Sequence, residues 1–215
     1  MKRIAGWICG FSLSALTCFA AEPQAAPAGA YAEVSGVFGV ATGQTNGIAE
    51  APLHVGTRLG PGSIIRIAPG GAADIYLGSE LGVIRLTQST MVTIEQLQRT
   101  ATNSETYLHL QVGTILGNGA NVRLGSRYQI KTDTGIAAIG SAAFRLHAEG
   151  YFVVIDGKAQ FAHVPTNGEP QIHMLKAPPA VYFSPTEGVK PAPKGLVKEV
   201  TTQSKAKLGH GASNP

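Results

Sequence analysis

Cysteine is missing from nearly all of this 215-residue chain; both copies, Cys9 and Cys18, lie close to the N-terminus. The rest of the chain therefore has no disulfide framework, no thiolate zinc site and no cysteine nucleophile. Charge is also scarce: Asp, Glu, Lys and Arg make up 14% of the residues, against about a quarter in an ordinary soluble protein. The only aspartates are Asp74, Asp133 and Asp156, each beside a turn signal. A paired-carboxylate reaction needs two acids at a defined separation, such as Asp74 and Glu80 brought together across a turn. The histidines are His54, His109, His147, His163, His173 and His210, and none has the His-x-His or His-x-x-x-His spacing of a metal pair. Gly78-Ser79 and Gly140-Ser141 lack the Gly-x-Ser-x-Gly elbow. Gly117-Asn118-Gly119 is not followed by the Lys-Ser/Thr of a phosphate cradle. These absences point away from catalysis and imply no cofactor and no metal.

The first residues read as a secretory signal. Lys2 and Arg3 precede an uncharged run from Ile4 to Leu16, and small residues follow at Ala20 and Ala21. Cleavage there would leave fifteen basic and thirteen acidic residues, a net +2. That is too mild to suggest nucleic acid or an anionic membrane as partner. The expected location is periplasmic or secreted, with no integral membrane span in the mature chain. With only Met1, Lys2 and Arg3 ahead of the apolar run, no cytoplasmic partner is expected at this end.

Glycine is plentiful at 27 residues, and proline adds 13. Neither favours long helices, and both suit a chain that turns often. From Tyr31 onward, short apolar runs alternate with Gly60-Pro61-Gly62, Pro69-Gly70-Gly71, Gly125-Ser126 and Asp156-Gly157. Expected strands are 32–40, 64–67, 73–77, 83–86, 91–94, 106–112, 121–124, 127–132, 143–147, 152–155, 159–164, 171–175 and 180–183. Their period is two. Leu108, Leu110 and Val112 fall on one face, and Tyr107, His109 and Gln111 on the other. His147 and His163 also fall in the polar phase. Tyr128 falls in the core phase. Asp156-Gly157 reads as a hairpin turn. Residues 93–106 have moderate helix propensity, with no convincing cap, and read as a loop with at most one helical turn. The division is 1–21 signal peptide, 22–30 flexible lead, 31–184 one β domain, and 185–215 a disordered Pro/Lys-rich tail.

Residues 132–146, Thr-Asp-Thr-Gly-Ile-Ala-Ala-Ile-Gly-Ser-Ala-Ala-Phe-Arg-Leu, resemble the signature of the FecR-type periplasmic domain family. Thr132, Gly135, Ile139, Phe144 and Leu146 match the family's strand-turn-strand pattern. Residues 55–64, 72–79, 110–113 and 154–159 resemble its other elements in order, and Gly157 belongs to the last. The likeness runs from about Ala32 to Val164. It departs at Gly140, Ser141 and Ala142, where the family has Arg-Gly-Thr, and at Asp133, where it has Pro. The resemblance implies an all-β, twisted β-solenoid-like single domain. It also implies an extracytoplasmic role near signalling systems, without the Arg and Thr that the family carries in its signature.

The function expected is an exported, non-enzymatic binding or scaffold protein of the cell envelope. It would recognise an envelope protein or glycan through a strand edge or sheet face. A secreted carbohydrate-binding module is the alternative, with Tyr107 and His109 as the candidate ligand surface. An enzyme on a β-helix scaffold would need an acidic or basic cluster that the sequence does not supply.

Overall fold

The computed structural model describes residues 30–45, 47–117 and 122–205. The expected signal peptide, nearly all of the expected lead and residues 206–215 lie outside the described residues. In chain order the strands are β1 (Ala32–Phe38), β2 (Ala41–Gln44), β3 (Ala51–Pro52), β4 (Arg58–Leu59), β5 (Ile64–Ile67), β6 (Ala72–Tyr76), β7 (Val83–Leu86) and β8 (Thr90–Arg99). There follow β9 (Ser104–Val112), β10 (Thr114–Gly117), β11 (Arg127–Thr132), β12 (Gly135–His147), β13 (Phe152–His163), β14 (Gln171–Ala177), β15 (Val181–Ser184) and β16 (Gly188–Pro191). One helix, α1 (Lys194–Lys205), closes the described chain.

All sixteen strands belong to one sheet. The sheet is curled, because consecutive strands lie in different parts of it. β1 pairs β6 while β2, two residues later, pairs β5. The steps β5 to β6, β7 to β8 and β9 to β10 divide in the same way. One half runs β4-β1-β6-β7-β10, the other β3-β2-β5-β8-β9-β11. β12 joins them, pairing β11 along its first residues and β10 along its last. β13 follows β12 throughout, and is continued by β14 on one half and β15 on the other. Between the halves lies one core, through which a chain of rings runs. Tyr128 meets Phe144 at 6.4 Å, Phe144 meets Phe152 at 5.9 Å, Phe152 meets Phe161 at 5.9 Å, and Phe161 meets Phe183 at 5.1 Å. Such ring pairs add specific geometry to the area they bury.

The all-β expectation agrees with this architecture. The solenoid-like form does not emerge from the pairing: every ladder is antiparallel except β9–β11, whereas stacked coils need parallel neighbours.

The bend of the β12–β13 hairpin has a local cause. Inward residues of β12 are Ala137 and Ile139, then Ala142, Phe144 and Leu146. The phase changes at Gly140–Ser141, where the register slips. In β13 it changes between Val154 and Ala159, again at a register slip. These are β-bulges, which insert one residue and bend the ladder. Gly157 lies there with φ +83°. A Cβ on Gly157 would sit 1.6 Å from the Ser141 carbonyl oxygen. The expected turn at Asp156-Gly157 is therefore a bulge inside one twelve-residue strand, and the two strands expected there are one.

Three further expectations are corrected. Residues 93–106 hold neither loop nor helix over most of their length, but the β8–β9 hairpin. Its strands carry their own register slips, which disguise the alternation and turn Val112 outward, away from Leu108 and Leu110. Val122–Leu124, the described part of the expected strand at 121–124, is not in a strand. Residues 185–205 of the expected disordered tail contain β16 and α1. Arg85 supplies a physical reason for the helix. Its guanidinium binds Asp74 through two hydrogen bonds of 2.7 and 2.8 Å and donates a third, at 2.6 Å, to the Gln203 carbonyl in the last turn. Arg145 pairs with Glu199 at 2.9 Å. Val200 is fully buried, and α1 packs on β10, whose Leu116 is buried outside the main core.

Candidate functional site

Tyr107 and His109 project from β9 to the outer face, half-buried, between β8 and β11. The register puts Thr93 and Lys131 on either side of His109, and Gln96 and Gln129 on either side of Tyr107. His109 sits between two carboxylates: Nδ1 is 3.5 Å from Glu95 Oε1 and Nε2 is 3.7 Å from Asp133 Oδ1. Nε2 is buried and makes no hydrogen bond among the described residues. The Tyr107 phenol beside Arg127 holds that guanidinium above its ordinary value. Gln96 donates to Glu105 at 3.0 Å, and Gln111 bonds Thr93 at 3.2 Å. Most polar groups here are thus held by a neighbouring strand. A ligand would meet one aromatic ring and an imidazole flanked by acids.

His147, His163 and His173 do not join this patch. His147 lies near Glu149 and Tyr151 at a turn. His163 is not in a polar phase but buried, its Nδ1 3.0 Å from the Thr134 carbonyl oxygen and its ring against Phe161 and Phe183. The His173 ring packs tilted against Phe183, with centroids 4.6 Å apart. Burial, reinforced by nearby His163, holds the His173 imidazole below its ordinary value. Among the described residues no group of three His, Asp or Glu side chains converges to hold a metal. Asp74 and Glu80 do not meet: Asp74 binds Arg85, while Glu80 binds Arg123, Ser104 and Ser126.

The signature residues are architectural. Thr132 and Gly135 face each other across the two-residue loop between β11 and β12. The Thr132 hydroxyl, buried, bonds the Gly135 carbonyl at 3.2 Å. Gly135 is required by close approach, since a Cβ would lie 2.2 Å from the Ala162 carbonyl oxygen. Ile139, Phe144 and Leu146 are core residues. Gly140, Ser141 and Ala142 occupy the bulge opposite Gly157.

A second candidate surface is the margin of the sheet. Two of its four margins are the two-residue strands β3 and β4. A third is β16, four residues ending in Pro191. The fourth is β14, seven residues long and paired only to β13. Its inward side chains, Leu175 and Ala177, are buried, and its outward Ile172 and Met174 are 71% and 59% exposed. The register continues this apolar surface inward from Ile172 to Ala162 and then Ile136. Sequence reading found the strand but not that it is an edge. Pro170 before it and Pro178-Pro179 after it are the signal, because proline in and around strands marks sheet margins.

No family model and no curated protein matches the chain. Among solved structures, a candidate anti-sigma factor from Parabacteroides distasonis ATCC 8503 is similar, with 17% identity and a TM-score of 0.47. The match covers 66% of this chain and 65% of that one, so this chain spans just under two thirds of its length. At that identity and score the likeness says nothing about what this chain binds.

Proposed function

We propose that this chain is an exported, non-enzymatic binding protein of the cell envelope, a FecR-type β domain serving as a scaffold or extracytoplasmic signalling component. It engages a protein by adding a strand along β14. The observation that carries this reading is the open seven-residue edge with two adjacent outward apolar side chains. An unpaired row of N–H and C=O groups is a template for another strand, and natural sheets normally blunt it. Among the described residues, β14 has Lys176 near its end but no bulge, no internal proline and no second strand paired to it. Export is supported by the charged, apolar and small-residue order of the first 21 residues.

A photo-crosslinker placed at Ile172, compared with one at Val83 on the other half of the sheet, tests the surface in envelope preparations. Protein adducts specific to position 172 are expected. Equal labelling at both positions, or none, sinks the reading. Mass spectrometry of the same material should find the mature N-terminus at Ala21 or Glu22.

A further inference from the structure

We infer that the strand taken up by β14 is β14 of a second copy of this chain, paired antiparallel about a two-fold axis through His173. This inference rests on the strand-addition reading above and names its partner. Three observations single out a second copy. The first is register. With His173 opposite His173 of the partner subunit, Ile172 lies opposite the partner's Met174, and Met174 opposite the partner's Ile172. Both exposed apolar side chains are then covered twice over by one symmetric contact, as an isologous interface requires. A shift of the axis to Met174 would instead set Ile172 against the partner's Lys176.

The second observation is charge. In the register centred on His173, Lys176 lies opposite the partner's Pro170, next in sequence to the partner's Glu169, so no like charges are opposed. Lys176 and Glu169 are both exposed and neither has an ion-pair partner among the described residues. Cross-strand neighbours of opposite sign stabilise a ladder, whereas like charges oppose it. The third is continuity. The row Ile136–Ala162–Ile172 on one copy meets Met174 of the other, so two short apolar rows become one band across the joined sheets. Neither a glycan nor a polar extended peptide would complete that band.

The register makes the test specific. Sedimentation velocity on the purified chain should show a dimer. I172E and M174K alone should each weaken it at least about tenfold, because each sets a charge against an apolar partner. I172E combined with M174K should restore it, because each new acid then faces a new base. Both positions are largely exposed, so the variants should fold; circular dichroism checks this. A chain that stays monomeric up to about 0.1 mM, or a dimer indifferent to the single changes, overturns the inference. So does a double variant that is no better than the singles. A monomeric chain that still cross-links at Ile172 to a different envelope protein refutes the second copy and leaves strand addition standing. A monomeric chain with no adduct at Ile172 refutes both.

Discussion

Gly157 and His173 show how single positions set the tolerance of this fold. Gly157 combines a left-handed backbone with a carbonyl oxygen where a Cβ would go. Gly157→Ala is expected to cost about 3 kcal/mol or more, as strain adds to a clash that only backbone movement relieves. Urea unfolding measures it, and a loss under about 1 kcal/mol would show that the bulge relaxes easily. His173 acts through protons. Its imidazole is held below the ordinary value of about 6.5 by burial and by His163. The unfolded chain then binds the proton more readily than the folded one. The contribution to stability is complete above the unfolded value and is lost as pH falls through that value toward the folded one. His173→Gln should flatten this acid limb, so that the stability gap between variant and wild type changes below about pH 6.5 and is constant above it. Parallel pH profiles of the two proteins would refute the assignment.

At the level of elements, α1 depends on its dock. It has no acidic residue in its first turn, and Gly195, Val197, Thr201 and Thr202 are weak helix formers. A twelve-residue helix of this kind is marginal in water. Val200, buried over the sheet, and the single Arg85 hydrogen bond to the Gln203 carbonyl in its last turn supply what propensity does not. Val200→Asp should destabilise by about 2 kcal/mol and expose the segment after Pro193 to protease. Arg145→Ala should cost under about 1 kcal/mol, because its pair with Glu199 is partly in solvent. The reverse ranking would mean that the ion pair, not burial, anchors the helix. This dependence is why the helix is illegible in the sequence, where prolines, glycine and lysines read as an unstructured tail. Short strands with one phase are legible: 64–67, 83–86 and 127–132 lie where alternation puts them. Strands whose phase reverses are not. β8, β12 and β13 each switch inward face at a bulge, and a period-two reading breaks them or discards them there.

For the molecule as a whole, composition and turn density were sufficient for the fold class, since neither depends on which strands pair. The curl and the order of strands were not legible, because they follow from contacts between residues far apart in the chain. The same holds for the candidate surfaces. Tyr107 and His109 could be read as one face of a strand, but the carboxylates around His109 come from β8 and from the loop after β11. Ile172 and Met174 become a surface because, among the described residues, no strand follows β14 in its half of the sheet. The crossing of chain between the two halves has one more consequence. Because β1 and β2, β5 and β6, β7 and β8, and β9 and β10 each contribute one strand to either half, the layers are laced together like the two sides of a boot. Neither can be peeled away or inherited as a separate module, and damage to one layer is felt at once in the other.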